Sequence, residues 1–248
     1  MSKYTKRHDG RKMDELRDIE ADVGVIEQAD GSAYFRIGKT AAYAAVYGPR
    51  EMHPKFMQDP KGGVLRCNYN MMPFSGMGDR VRPGPSRRSK EISMVTAAAL
   101  QPVIDLSDWP NSVVDVFIEL PQTDAGSRCA GICAAALALA DAGIAMRDMV
   151  SAVAVGMVGD QIVVDLDYNE EQPGEGLEAV DIPVAMIPST GEITLLQMDG
   201  VISKDDLRKC LESVRKSCEQ INEIQKQAIK DRYKRLQDEA SKMGGEAQ

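Results

Sequence analysis

Six residues, Thr123-Asp124-Ala125-Gly126-Ser127-Arg128, join a strand-like run (Val113 to Leu120) to an alanine-rich helical run (Cys129 to Ala142). A strand that feeds a helix through so short a joint must turn tightly, and Gly126 supplies the backbone freedom for it. The first turn of a helix carries unpaired N–H groups and the positive end of the helix dipole. Gly126 would let an anion approach the backbone, Ser127 adds a hydroxyl donor, and Arg128 adds a planar fork suited to phosphate oxygens. A cation at that end opposes the dipole, and a bound anion would resolve the conflict. The same string also fits an ordinary helix capped by Thr123 or Asp124, with Arg128 solvated.

A second helix start shows the same conflict. Pro73 to Pro85 is too rich in glycine and proline to be regular, and it leads into a helix expected over Ser86 to Leu106. Arg87, Arg88 and Lys90 crowd its first turn. With Arg80 and Arg82 they form a basic stretch opposed only by Asp79, on a chain whose formal net charge is −8. One anionic ligand would account for both starts, and the overall charge argues against nonspecific coating of nucleic acid.

Before these lie segments read as strands: Asp22 to Gln28, Ala33 to Ile37 and Ala41 to Tyr47, forming an antiparallel meander, and Val64 to Met72, which carries Arg66. A second strand set follows: Ser151 to Val158, Gln161 to Asp167, Ile182 to Ile187 and Glu192 to Met198. Its members are separated by an acidic loop, Asp165 to Asp181, holding Glu170, Glu171, Glu175 and Glu178. From Ser203 to about Lys242 the apolar spacing predicts one long helix with a Ser203/Asp206 cap. Leu207, Leu211, Val214, Cys218, Ile221, Ile224 and Tyr233 share its buried stripe, its far end projects, and Gly244-Gly245 form a loose tail. The pattern predicts an α+β chain divided at 1–148, 149–202 and 203–248.

The 43% hydrophobic content is enough for a sizeable core. No run approaches the roughly 20 apolar residues of a membrane helix, and the polar N-terminus is unlike a signal peptide, so a cytoplasmic protein is expected. Cys67, Cys129, Cys133, Cys210 and Cys218 form no C-x-x-C pair and read as buried thiols, and His8 and His53 give little scope for histidine-based catalysis.

Asp9-Gly10-Arg11 with Glu15-Leu16-Arg17, Ala29-Asp30-Gly31-Ser32, Tyr47-Gly48-Pro49-Arg50-Glu51, Arg82-Pro83-Gly84-Pro85-Ser86-Arg87-Arg88-Ser89 and Asp124-Ala125-Gly126-Ser127-Arg128 occur in that order. Together they resemble the ribonuclease PH family and, within it, the catalytic ring subunits of archaeal exosomes, over about residues 8 to 235. The resemblance implies a ribonuclease PH fold whose first domain is similar to domain 2 of ribosomal protein S5. It implies processive 3′ to 5′ phosphorolysis of RNA that releases nucleoside diphosphates and runs in reverse as tailing. The implied assembly is a hexameric ring shared with a related inactive subunit and capped by S1- or KH-domain proteins. By the same resemblance Gly126, Ser127 and Arg128 hold inorganic phosphate, Arg87 and Arg88 hold the RNA backbone near the scissile bond, and Arg66 contacts RNA in the channel. Asp181 matches the second of two acids, with Mg²⁺ expected there. The first acid of the family follows a Glu-Glu pair. Here Glu170-Glu171 is followed by Gln172 and a longer loop, so Glu171, favoured as the closest to the strand end, or Glu175 or Glu178 takes its place as a catalytic acid beside Asp181, or the acid is missing. A missing acid would leave a noncatalytic RNA-binding scaffold subunit. A small-molecule phosphotransferase, a third reading, would want a longer glycine-rich nucleotide loop.

Overall fold

The computed structural model describes residues 4–78, 80–174 and 176–245, with side chains described as far as 241. Asp79 and Glu175 therefore lie outside the described residues. The first three strands, β1 (Ile19–Val23), β2 (Gly31–Ile37) and β3 (Thr40–Glu51), form the expected antiparallel meander. β1 begins and ends earlier than the expected Asp22 to Gln28, because Gly24 turns the chain at φ +70° and donates its N–H to the Ser32 carbonyl at 2.8 Å. β4 (Val64–Met71) is an edge strand, and the order of this sheet is β1-β2-β3-β5-β4.

β4 runs parallel to β5 (Ser112–Gln122), which requires a crossover, and α1 (Arg87–Leu100) provides it. The helix stops short of the expected Leu106. Pro102 has no N–H to continue the ladder, and Gln101–Val103 tightens into a single 3-10 turn.

α2 (Ser127–Asp141) is buried on nearly every side and packs on β2, β3 and β5 of the first sheet. It also packs on the second sheet, built from β6 (Ser151–Val158), β7 (Gln161–Val164), β8 (Ala179–Ile187) and β9 (Glu192–Leu196) in the antiparallel order β7-β6-β8-β9. A helix sandwiched between two sheets has little use for long or polar side chains, which explains the Ala, Gly and Cys content of α2. One continuous apolar core runs from Phe35 and Val116 in the first sheet, through Ile132 and Leu137 of α2, to Val153 and Val184 in the second.

Two features of the second half differ from expectation. The acidic loop contains a one-turn helix, α3 (Tyr168–Glu171), closed by a reciprocal capping box between Asp167 and Glu170. Asp181 lies inside β8 rather than in the loop before it.

The last helix, α4 (Lys204–Gly245), starts at Ser203, whose hydroxyl accepts the Asp206 N–H at 3.1 Å and donates to the Asp206 carboxylate at 2.7 Å. Val214, Cys218 and Ile221 of its stripe are buried, as is Cys210 beside them. Tyr233, assigned to the same stripe, is 58% exposed, although the helix is still tied to β1 at this point by Arg235, which donates to the Asp22 carboxylate. At ~1.5 Å per residue it is about 60 Å long, and its helical backbone continues through Gly244 and Gly245, where a loose tail was expected.

The five cysteines are buried free thiols. Among the described residues no group of His, Cys, Asp or Glu forms a three-ligand metal cluster, and no helix is long and apolar enough to cross a membrane.

Candidate active site

The start of α2 is built by its neighbours rather than by a cap. Ala125 and Gly126 are successive left-handed residues, at φ +59° and +62°, and Gly126 stands at the N-cap with no side chain capping the helix. Neither Thr123 nor Asp124 fills that role. The Thr123 hydroxyl donates to the Ser75 carbonyl at 3.1 Å, and the Asp124 carboxylate accepts the Tyr168 N–H at 3.1 Å. Thr40 braces the turn from β3, its hydroxyl accepting the Asp124 N–H at 2.8 Å and donating to the Ala125 carbonyl at 2.7 Å. Arg17 donates to the Asp124 carbonyl. A turn fastened at every residue, with an uncapped helix start behind it, is a preorganised site for an anion.

The side chains of that start are themselves held. The buried Tyr69 hydroxyl donates to the Ser127 hydroxyl at 2.9 Å. Arg128 donates to the Gln197 side-chain oxygen, and the Gln197 amide donates to Glu91 on α1 at 3.0 Å. Neither Gln197 nor Tyr69 stood out in the sequence. A lone glutamine at a strand end was the available signal for the first, and nothing distinguished the second from a core tyrosine.

The start of α1 differs, because Ser86 and Ser89 cap it reciprocally: the Ser86 hydroxyl accepts the Ser89 N–H at 3.0 Å and the Ser89 hydroxyl accepts the Ser86 N–H at 2.8 Å. Arg87 and Arg88 are adjacent on a helix and point about 100° apart. Arg88 faces a pocket of about 770 Å³ that Gly126, Ser127, Arg128 and Gln197 also line, whereas Arg87 is exposed and is not among its lining residues. Arg66 sits five residues before the pocket end of β4, about 16 Å away along the strand. There it grips the buried Asp115 along one guanidinium edge, through Nε and through Nη2 at 2.9 Å, beside Arg50.

The opposite wall of the pocket is acidic. Glu171, Gln172, Asp181 and Asp199 line it. Within β8, Asp181 is in register with Gly156, and its main chain bonds both ways with Asp199, at 3.0 and 2.8 Å. One Asp181 carboxylate oxygen is buried without a partner. Burial pushes the Asp181 carboxyl up to about 6, with the Arg128 charge opposing and Asp199 assisting. Glu171, at the end of α3, is pushed up to about 7, first by burial and then by the Asp181 charge. Hydrogen bonding from the Gly126 backbone and the charges of Arg88 and Arg17 hold it down in part.

Glu170 turns the other way, into the core. Glu178 is exposed and off the pocket, and Glu175 lies outside the described residues. Glu171 is thus the acid of the pair that reaches the pocket, with Gln172 beside it. The arrangement opposes an anion-binding helix start and an arginine to two reluctantly charged carboxylates, as a transfer between anions that ends in protonation would need.

Models of the 3′ exoribonuclease family match the chain in two parts, domain 1 over residues 15–145 and domain 2 over residues 148–216. The chain is 49% identical over 236 residues to the exosome complex component Rrp41 of Thermococcus gammatolerans, covering 95% of this chain and 93% of that protein. It is 48% identical over 227 residues to the Rrp41 of Methanopyrus kandleri, covering 92% and 93%. Among solved structures the fold is similar to rice Rrp46, with a TM-score of 0.78 at 24% identity over 89% of this chain and 98% of that one. It is also similar to a chain of the Archaeoglobus fulgidus exosome with RNA bound to the active site, with a TM-score of 0.73 at 24% identity over 88% and 92%. With both domain models matched in order, the chain belongs to the 3′ exoribonuclease family, the ribonuclease PH family.

Proposed function

We propose that this chain is a phosphorolytic 3′ to 5′ exoribonuclease subunit of an exosome ring, cytoplasmic, using inorganic phosphate and releasing nucleoside diphosphates. The observation that carries the reading is the shared pocket, in which the fastened start of α2 and Arg88 face Glu171 and Asp181. The names of its relatives, exosome complex components, support an exosome setting. In that ring we place a related inactive subunit, S1- or KH-domain caps, and RNA contacts by Arg66, Arg87 and Arg88.

Gly126, Ser127 and Arg128 hold the attacking phosphate, and Arg88 holds the RNA backbone so that the attack is in line. A phosphate oxygen bonds to the terminal phosphorus and the bond from that phosphorus to the preceding 3′ oxygen breaks. The last nucleotide departs as its 5′-diphosphate. The 3′ oxygen left on the shortened RNA takes a proton, and Glu171, which burial holds protonated for part of the time near neutrality, is the group to supply it. Mg²⁺ fits the donor set: the partnerless oxygen of Asp181 is a hard ligand, and this ion commonly takes one or two carboxylates and completes its shell with substrate phosphates and water. Bound by Asp181, it would screen the negative charge gathered on the reacting phosphates.

Gln172 favours a second reading, a noncatalytic RNA-binding ring subunit, since it lines the pocket directly after the Glu170-Glu171 pair. One assay separates the two. The assembled ring is incubated with RNA labelled along its length, with and without phosphate. Nucleoside diphosphates formed only with phosphate support the first reading, and RNA binding without turnover supports the second. Nucleoside monophosphates as the sole product would overturn the first reading.

A further inference from the structure

We propose that the N-terminal strap, residues 4–17, belongs to the reaction centre, with Tyr4, Arg7 and Glu170 as positioning residues that fix α3 and so aim Glu171 into the pocket. This rests on the reading of Glu171 as the working acid.

α3 is a single turn, too short to persist through its own hydrogen bonds. Its neighbours on the helix face different ways, so a carboxylate at 170 can be anchored in the core while the one at 171 faces the pocket. The anchor is strong. The side chains of Arg7 and Glu170 are both 0% exposed. Arg7 binds the Glu170 carboxylate along one edge, Nε to Oε1 at 2.8 Å and Nη2 to Oε2 at 2.7 Å, and the Tyr4 hydroxyl donates to Oε1 at 2.6 Å. The same carboxylate closes the capping box by accepting the Asp167 N–H at 3.0 Å. The remaining Arg7 donors reach the carbonyls of Lys12, Glu15, Val164 and Asp165, so the guanidinium ties the strap to the end of β7 as well as to α3.

A second tie runs parallel to the first. Arg17 clasps Asp165 at 2.9 and 2.7 Å and donates to the Asp124 carbonyl, while the Asp124 carboxylate accepts the Tyr168 N–H. The turn that forms the anion site and the turn that carries the acid are therefore fastened to one strap. Buried ion pairs are poor sources of net stability compared with apolar packing of equal volume. What this pair supplies is fixed geometry next to a reacting group.

The test uses the assembled ring in single-turnover reactions with excess ring and saturating phosphate, so that the residual rate of crippled variants is measurable. Glu170→Gln should lower the rate roughly 10- to 100-fold, the scale of a misplaced catalytic group, with RNA affinity within about twofold of wild type. Tyr4→Phe removes one hydroxyl, should leave melting temperature and ring assembly intact, and should slow the reaction roughly three- to tenfold. It carries the test if the Glu170 variant does not assemble. If Glu170 acts through Glu171, the double variant Glu170→Gln/Glu171→Gln is no slower than Glu171→Gln alone, a non-additivity that general loosening of the fold would not give. Wild-type rates in Tyr4→Phe, or a double variant that loses the product of the two factors, would overturn the proposal. A wild-type rate in Glu171→Gln would instead overturn the reading of Glu171, and the proposal with it.

Discussion

Replacing Asp181 by asparagine should abolish phosphorolysis and at the same time stabilise the protein. In the unfolded chain the carboxyl titrates near its ordinary 3.8, whereas in the folded protein burial raises it to about 6. The folded state thus holds this proton more tightly, favouring folding at pH values below the ordinary carboxylate range and losing that advantage as pH rises towards 6. Above pH 7 the charged form persists in a site that disfavours it. At about 1.4 kcal/mol for each tenfold in proton affinity, the cost is roughly 3 kcal/mol as an upper limit. Asparagine keeps the size and is neutral at every pH. For a chain of this length ~2 to 3 kcal/mol corresponds to a melting temperature higher by about 4–12 °C. The gain should appear at pH 7.5 and vanish at pH 3.5, with RNA binding intact or slightly tighter at the higher pH. Thermal or urea unfolding at the two pH values is the assay. An asparagine variant less stable than wild type at pH 7.5, or an equal gap at both pH values, would refute the electrostatic account of this site. Stability gained where activity is lost is the expected trade at a strained functional group.

Glu171→Gln should lower the rate of phosphorolysis about 10²-fold, on the scale of losing a well-placed transition-state partner, while Glu178→Gln stays near wild type; equal effects would remove Glu171 from the mechanism. Arg88→Ala should reduce both RNA affinity and the rate at saturating RNA, whereas Arg66→Ala acts through affinity alone, and each should shallow the salt dependence of binding by about one phosphate contact. Gly156→Ala places a Cβ 1.8 Å from the Val180 carbonyl oxygen, next to Asp181 on the paired strand. It should cost about 1–3 kcal/mol in urea unfolding and slow phosphorolysis, and an unchanged rate would show that the position of Asp181 tolerates the shift.

The half of the site proposed to bind anions was legible in the sequence because its chemistry is local. Gly126, Ser127 and Arg128 are consecutive, and a cation at a helix start is an anomaly visible without coordinates. The acidic half was not. Four residues of α3 are fewer than any periodicity can register, and nothing in Glu170-Glu171 tells which carboxylate faces the core. That choice is made by Arg7, 163 positions away. β2 and β3 could be read from the turns that bound them and β4 from its alternation, while β1 was displaced because Asp22 to Gln28 has strand composition but contains Gly24 at a positive φ. Arg66 and Arg88 read alike as basic side chains from composition, the resemblance alone set them apart in the sequence, and the fold puts one at each end of β4.

The two halves of the site come from different sheets, and α2 sets the distance between them. Its first residues are the proposed anion site, and its buried length packs on β2, β3 and β5 on one side and on β6 and β8 on the other. Because its side chains are mostly small, the second sheet approaches closely enough for Asp181 on β8 to feel the Arg128 charge. The sites of contact are tight: a Cβ at Gly31 on β2 would lie 2.2 Å from the Ala142 nitrogen at the end of α2, and one at Gly131 would lie 3.2 Å from Ile118. A helix of larger side chains could form the same core volume only by moving the sheets apart. The alanine and glycine content of α2 is therefore a requirement of the chemistry as much as of packing, since it brings an anion site and its opposing carboxylates into one pocket.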